Sequence, residues 1–289
     1  MSSTLQGQIL VLVLLGASGC ATDRTRELRT APLEPAHSQE GGASAEDLAK
    51  KLSNPIASLI SVPFQLNYDQ DIGPATDGER FFLNFQPVIP IGLSEDWNVI
   101  SRTIVPITFD QDDIFPGAGD QSGLGDVVQS VFFSPKAPTA GGLIWGAGPV
   151  LLLPTASDDL LGADQWGLGP TAVGLKQAGP WTYGALANHL WGVHQKGQEN
   201  REDVNATFVQ PFASYTTPAA WTYTLNLEST YDWRNDDWAV PVNAVVSKLL
   251  RLGKLPLSVG FGLRYWAEHA ENGPEGLGLR FVITPLFPR

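Results

Sequence analysis

The chain has 289 residues, a formal net charge of −12 and a single cysteine, Cys20. The acidic balance argues against a nucleic-acid partner, because phosphate binding needs clustered Lys and Arg, and one cysteine excludes an intrachain disulfide and a cysteine-rich zinc site. Charged residues make up only 17% of the chain, and the 30 Gly and 22 Pro suit many short strands joined by turns.

The first 20 residues have the pattern of an export signal. The apolar run from Ile9 to Leu15 is too short for a transmembrane helix and has the length of a signal-peptide core. Small residues lead from it to Cys20, as in a bacterial lipoprotein signal, in which the cysteine becomes the lipidated first residue. No Lys or Arg precedes the run and Ala17 stands where Leu is commoner, so ordinary signal cleavage near Ala21 is the alternative.

A tether and a short helix follow the signal. Residues 21–44 are polar and show no periodicity, which predicts a flexible periplasmic tether. Ser44 and Asp47 have the spacing of a capping box, which predicts a short helix over 45–56 with its leucines on one face. This helix is either a frayed linker or is docked on or in the domain that follows, residues 57–289.

From Leu59 onward, apolar and polar residues alternate with a period of two. The segments 59–69, 221–231 and 255–266 each place apolar side chains on one face and polar or small ones on the other. Ten residues or so is the length of a tilted strand that crosses a bilayer. No later run has the roughly 20 apolar residues of a spanning helix, and a membrane protein without such helices must close into a barrel.

Twelve strands are predicted in this domain. They lie near 59–69, 80–91, 97–111, 124–134, 143–157, 167–177, 181–195, 206–216, 221–232, 238–250, 255–268 and 277–287. The gaps between them are mostly long and short in turn, as in an outer-membrane barrel with outer loops and periplasmic turns. The sequence therefore predicts an all-β, transmembrane, antiparallel up-and-down barrel of about 12 strands, with both termini in the periplasm.

The distributions of charge and of tryptophan both distinguish the long-gap end of the predicted strands from the short-turn end. The six longer gaps hold 16 acidic and three basic residues, whereas the five turns hold two acidic and three basic ones. Trp97, Trp145, Trp181 and Trp221 lie near one end of their strands, and Trp166, Trp191, Trp233, Trp238 and Trp266 lie near the other. Two aromatic belts are typical of the two membrane interfaces, so outer-membrane lipid and lipopolysaccharide are the predicted surroundings. The oligomeric state is left open.

Several segments resemble a known family. They are the run 54–65 (NPIASLISVPFQ) with 67–68 (NY), 84–90 (NFQPVIP), 97–103 (WNVISRT), 123–126 (GLGD) with 132–135 (FFSP), 148–149 (GP) with 153–156 (LPTA), and 188–191 (NHLW). Together they resemble bacterial outer-membrane transporters of the phenol-degradation MetA-pathway type, whose relatives are often labelled "transporter" or "neuromedin U". The resemblance spans residues 45 to 289 and implies a transporter with a link to aromatic compounds. The lipoprotein-like signal departs from that family.

Polar residues on the second face are candidates for the pore lining. They are Gln65, Asn67, Asn84, Gln86, Arg102, Asp126, Asn226, Glu228, Asn243, Arg264 and Arg280. An inward position is favoured because an Arg that faces lipid near the midplane costs roughly 2–4 kcal/mol. Such charges either select small-molecule solutes or fill a modest twelve-stranded interior with salt bridges and leave no open pore.

No catalytic residue, cofactor or metal is predicted. The histidines after Cys20 are His37, His189, His194 and His269, and no Gly-x-Ser-x-Gly motif or serine at a matching height accompanies them. The acidic gaps lack the spacing of a calcium hand and are expected to form a solvated rim. The sequence therefore predicts an outer-membrane channel for small solutes, aromatic or weakly apolar ones among them. A closed structural or surface barrel is the alternative, and an outer-membrane lipid hydrolase is a third hypothesis.

Overall fold

The computed structural model describes residues 44–193 and 203–287. The predicted signal, its Cys20 and residues 21–43 of the predicted tether lie outside the described residues. In the described part of the chain, none of the helical structure is both long and apolar enough to traverse a bilayer.

One helix and sixteen β-segments make up the fold. They are α1 (Ala45–Leu52), β1 (Ile60–Ser61), β2 (Phe64–Ile72), β3 (Gly78–Phe85), β4 (Val88–Gly92), β5 (Trp97–Asp112), β6 (Gln121–Leu124), β7 (Val127–Pro135), β8 (Leu143–Leu153), β9 (Trp166–Ala178), β10 (Trp181–Val193), β11 (Asn205–Thr216), β12 (Trp221–Leu227), β13 (Ser229–Asp232), β14 (Asp237–Leu252), β15 (Leu255–Glu268) and β16 (Leu277–Phe287). Four pairs of segments are single strands with a short interruption, namely β1 with β2, β3 with β4, β6 with β7, and β12 with β13. The result is twelve strands.

The sheet closes on itself. Every described pairing is antiparallel, and the last strand, β16, pairs with both β1 and β2 at the start of the domain. In this closing ladder Leu279 lies opposite Tyr68 and Arg280 lies opposite Asn67. The predicted fold class is therefore confirmed: the chain forms a closed antiparallel barrel of twelve strands with one short helix.

One strand ends earlier than the sequence predicts. The run 143–157 was expected to be a strand throughout, but β8 stops at Leu153. Pro154 follows and has no N–H to donate to a ladder. The next two backbone N–H groups, of Thr155 and Ala156, donate to the Asp126 carboxylate at 3.1 Å each instead of to a neighbouring strand.

The two faces of the wall differ in polarity. Large apolar side chains point outward and are exposed along the strands, as Leu225, Phe261 and Leu263 show, each about half exposed. The residues between them point inward and are buried, including Asn243 and Arg264, which lie opposite each other on β14 and β15. A barrel with an apolar outside and a polar inside is the arrangement expected of a membrane-inserted wall.

Aromatic side chains ring both ends of the outer face. At the end that carries the short turns, here called the turn end, the Trp97 and Trp145 rings pack edge to face with centroids 6.0 Å apart. At the opposite loop end, Tyr231 packs against both Trp233 and Trp238. Trp266 does not join this belt as predicted: it has the same parity as Arg264 on β15, so it points into the barrel and is 8% exposed.

A charge on the outer face tests the membrane position of the wall. Leu263→Arg, at the middle of β15, is expected to lower the free energy of unfolding by about 2–4 kcal/mol, because an Arg would face the bilayer core. Leu252→Arg is the matched control at the turn end, where the cost is about 0–1 kcal/mol. Denaturant titration of the barrel in lipid vesicles measures both, and equal costs would contradict the assignment.

Candidate functional site in the barrel lumen

The helix α1 is specified by its own sequence at both ends. The Ser44 hydroxyl accepts a hydrogen bond from the Asp47 backbone N–H at 3.0 Å, and the Asp47 carboxylate accepts one from the Ser44 N–H at 3.3 Å. These bonds satisfy donors that a helix start leaves free, and the hydrogen bonds from Ser44 hold the pKa of Asp47 below its ordinary value. Acidic residues in the first turn and Lys50 and Lys51 in the last complement the helix dipole.

The segment 44–59, here called the plug segment, packs against the inner wall at the turn end. Leu48 and Ala49 are buried in a cluster with Leu249, Leu286 and Ala220. Leu249 and Leu286 belong to the inward-facing sets of β14 and β16, and Ala220 lies in the turn between β11 and β12. Of the two placements left open by the sequence, docking inside the barrel is therefore the one observed.

Polar contacts fix the plug segment at the mouth of the barrel. The Lys50 ammonium donates to the Gly179 carbonyl in a turn, and the Gln177 side-chain amide donates to the Lys50 carbonyl at 2.9 Å. On the other side of the mouth, the Asn98 amide donates to the Ser58 hydroxyl at 3.1 Å. The plug segment therefore spans the turn end from β9 and β10 to β5.

A layer of charged side chains crosses the lumen nearer the loop end. Arg280 donates two hydrogen bonds of 2.8 Å to the two carboxylate oxygens of Glu228, and its Nε donates to the Asn67 amide oxygen at 2.8 Å. The Arg280 side chain is 2% exposed and that of Glu228 is 18% exposed. A bidentate pair of this kind is strong because both partners are charged and the geometry is planar.

A second arginine extends this layer. The Arg264 Nε lies 3.5 Å from the Asp69 carboxylate, and its guanidinium carbon stands 4.5 Å from the centre of the Trp266 ring. The Trp266 indole N–H donates to the same carboxylate at 3.3 Å, and Arg80 reaches it at 3.3 Å from the other side. We call Asn67, Asp69, Glu228, Arg264 and Arg280 the polar layer.

The opposite side of the lumen is apolar. Side chains on consecutive strands from β5 to β10 pack together there, and Ile100, Phe132, Leu175 and Leu186 are almost fully buried. Ile56 of the plug segment joins this cluster. We call this cluster the apolar sector and the side that holds the polar layer the polar sector; inward-facing polar residues of the same strands, among them Ser130 and Thr171, lie beside the apolar sector.

A cavity of about 250 Å³ remains between the plug segment and the wall. We call it the chamber. Its polar surface includes Arg102, Gln86 and Asn226, and its apolar surface includes Phe212 and Leu249. The chamber lies on the turn side of the polar layer.

The predicted pore-lining residues fall into four groups. Asn67, Glu228, Arg264 and Arg280 meet in the polar layer; Gln86 accepts a hydrogen bond of 3.2 Å from Arg102; Asn243 donates one of 2.9 Å to Asn226; and Gln65 lies opposite Asn84 in the ladder between β2 and β3. Asp126 joins none of them. Its carboxylate accepts hydrogen bonds from the Thr155, Ala156 and Ala163 N–H groups and so anchors an outer loop.

Three members of this network, Asp69, Arg80 and Trp266, were not among the predicted candidates. Asp69 has the same parity as Gln65 and Asn67, and Trp266 has the same parity as Arg264. The alternation of inward and outward side chains therefore predicts an inward position for these residues as well. Asp69 lies at the end of the predicted strand 59–69, and Trp266 is predicted to join the aromatic belt at the loop end.

His189 lies on the outer face rather than in the lumen. Its Nδ1 is 2.7 Å from the Thr207 hydroxyl, which also accepts a hydrogen bond from the Trp233 indole N–H at 2.7 Å. The other ring nitrogen, Nε2, is buried and has no described partner. A base and a hydroxyl are therefore adjacent, but no third group among the described residues orients the ring as a catalytic triad requires. His37 and His194 lie outside the described residues.

The acidic rim carries one perturbed group. Asp112 beside it raises the pKa of Asp120, through a shared hydrogen bond and charge repulsion. Among the residues that the structure describes, no three His, Cys, Asp or Glu side chains converge as a metal site would require.

Comparison with known proteins bears on the fold. Neither a protein-family model nor a curated protein matches the sequence, so the resemblance to transporters of the MetA-pathway type stays a prediction. The structure is similar to an outer membrane channel from Pseudomonas putida F1, with a TM-score of 0.63 and 14% identity over 80% of this chain and 96% of that chain.

Two further solved structures are more distant. The NanC porin has a TM-score of 0.46 and 11% identity over 80% of this chain and all of its own. Outer membrane phospholipase A from Escherichia coli has a TM-score of 0.44 and 8% identity over 83% of this chain and 98% of its own. Only the likeness to the Pseudomonas channel is close enough to use, and at 14% identity it supports the fold alone.

Breaking the charged pair tests the energetic role of the polar layer. Arg280→Gln is expected to lower the free energy of unfolding by about 3–5 kcal/mol, because it leaves the Glu228 carboxylate buried without its partner. The double variant Arg280→Met with Glu228→Leu removes both charges and is expected to recover most of that loss. Denaturant titration of the two variants in vesicles makes the comparison. A double variant as unstable as the single one would show that packing, not charge pairing, sets the cost.

Proposed function

We propose that this protein is an outer-membrane channel for small molecules and that the plug segment closes its turn end. The observation that carries the proposal is the way the lumen is closed. The turn-end mouth is covered by a peptide segment that precedes the barrel, and a chamber remains behind it. A segment that is not part of the closed ladder can leave without breaking a strand pairing.

The outer-membrane location rests on the surface of the wall. The outer face of the closed barrel is apolar between two aromatic belts, as in a wall that spans lipid. We place the turn end and both termini in the periplasm, because outer-membrane barrels carry their longer loops outside. In this chain the longer gaps are also the acidic ones, so the proposed orientation puts the acidic residues at the cell surface.

The plug segment is suited to reversible closure. A helix of eight residues is not stable by itself in water, so α1 depends on its contacts with the wall. The contacts of the plug segment consist of one small apolar cluster, the packing of Ile56 into the apolar sector, and a few hydrogen bonds. These contacts hold the segment in place. Because they are few, we propose that they break together when the segment leaves the lumen.

The division of the lumen suggests the kind of solute. A lumen that presents both an apolar cluster and polar side chains suits small molecules that have both an apolar body and a polar group. The resemblance to transporters of the MetA-pathway type points to aromatic compounds within that class. We therefore propose aromatic or weakly apolar solutes, with Cys20 as the lipid attachment that holds the N-terminus at the membrane.

A closed structural barrel is the second candidate. It is favoured by the packing of Ile100, Phe132 and Leu186, which fill part of the apolar sector, and by the Arg280–Glu228 pair, which crosses the lumen. In that case the plug segment would be a fixed part of the core, and its removal would unfold the barrel or leave it impermeable.

Loosening the plug segment separates these candidates. Leu48→Ala removes about 2–5 kcal/mol of apolar packing, and each 1.4 kcal/mol changes an equilibrium about tenfold. We therefore expect the open probability in planar lipid bilayers to rise on the order of tenfold or more, and deletion of residues 44–59 to give a larger rise still.

Glu46→Gln is the matched control, since no side-chain contact of Glu46 with the wall is described and its conductance should equal that of the unaltered protein. Folding of every variant is checked by its heat-shifted migration on gels. Folded variants that stay silent, both Leu48→Ala and the deletion, would overturn the channel and favour the closed structural barrel.

A further inference from the structure

We propose that the chamber is a binding site for a small organic carboxylate with an apolar body, held by Arg102. This inference rests on the proposed function and names the class of solute, but the site itself can be tested by binding alone. The argument combines the partners of Arg102, the charges around the chamber, and its shape.

Arg102 is the exception among the lumen arginines. Arg280 pairs with Glu228, and Arg264 and Arg80 both reach Asp69. Arg102 makes one described side-chain contact, to the neutral Gln86 amide oxygen at 3.2 Å, and no carboxylate of the described residues lies within ion-pair distance of it. Arg102 is half-buried. A guanidinium has five N–H donors and keeps its proton, so the donors that Gln86 does not use are available to a ligand in the chamber.

The nearest carboxylate is already committed. Both Glu228 oxygens accept hydrogen bonds from Arg280 within the polar layer. Glu228 therefore cannot serve as the direct partner of Arg102 without giving up a bidentate pair. Arg102 itself lines the chamber.

The charges that line the chamber are all positive. The lining contains Arg102 and Lys51 and no Asp or Glu, although the whole chain has 30 acidic and only 18 basic residues. The two cations belong to different elements: Arg102 is a half-buried residue of β5 in the wall, and Lys51 is an exposed residue of the plug segment. An anion in the chamber would meet attraction from both and direct repulsion from neither.

The remaining lining suits an amphipathic molecule. Val88, Phe212, Leu59 and Leu249 provide apolar surface, and polar side chains alternate with it: Arg102 lies opposite Val88, and Asn226 lies opposite Phe212 in their ladders. An apolar cavity of about 150 Å³ is enough for benzene, so about 250 Å³ accommodates a single ring with a carboxylate. Inorganic anions would leave the apolar surface uncovered, which is why an organic body is part of the proposal.

Calorimetric titration of the full-length protein in detergent tests the site with benzoate as the probe. We expect benzoate to bind, and benzamide and acetate to bind at least about tenfold more weakly. Benzamide lacks the negative charge that Arg102 would bind, and acetate lacks the ring that would cover the apolar surface. Equal affinity for benzoate and benzamide, or no binding of benzoate, would overturn the proposal.

Variants assign the binding to Arg102. Arg102→Gln should lower the affinity for benzoate about tenfold or more and remove the preference over benzamide, while Arg102→Lys should keep part of that preference. Arg234→Gln, at the rim near Asp203, is the matched control and should bind as the unaltered protein does. Benzoate binding that is unchanged in Arg102→Gln would refute the assignment.

A second variant protects the test against misfolding. If Arg102→Gln does not fold, Lys51→Gln should weaken benzoate several-fold by removing the other cation, and unchanged affinity would count against the site. The two proposals also fail separately. Benzoate binding without conductance in any variant would overturn the channel and keep the site, whereas conductance without benzoate binding would overturn the site and keep the channel.

Discussion

The ladder between β16 and β2 is the constraint on which the rest of the structure depends. In lipid every backbone N–H and C=O must be paired within the protein, so the first and last strands have to meet. Their register also fixes the side-chain faces, because a slip of one residue would turn every side chain to the other side. With Arg280 opposite Asn67, both point inward. A slip of one residue would turn the β16 side chains around, Arg280 among them, and expose that charge to lipid.

Closure of the sheet also creates a wide interior that has to be filled. Twelve strands enclose an interior too wide to be filled by wall side chains of ordinary size, and charges placed in it are partly removed from water. Three kinds of structure fill this interior. Arginines and carboxylates pair across the polar sector, aliphatic and aromatic side chains pack in the apolar sector, and the plug segment fills the turn end. Arg102 is the charge that these arrangements leave without an opposite partner.

The sequence predicts the wall well and the interior less well, for a physical reason. Alternation is a local pattern, so it locates all twelve strands and the inward parity of Asn67, Arg264 and Arg280. The partner of Arg280 is not a local property. Glu228 lies three strands away, and only the diameter and shear of the closed barrel bring the two within 2.8 Å. The same holds for Asp126, whose role depends on a loop that folds back over it.

The plug segment shows the same limit and also suggests how closure and binding are linked. The capping box of Ser44 and Asp47 predicts its helix from the sequence alone. The position of that helix inside the barrel depends on side chains from strands that are distant in sequence. Because Lys51 belongs to that segment, the chamber has two cations only while the barrel is closed. An anion bound there stabilises the closed state, and by thermodynamic linkage opening weakens the hold on the anion by the same factor. When the plug segment leaves, the turn end opens and the Lys51 charge leaves the chamber with the segment. The solute is then bound less tightly at the time it can pass.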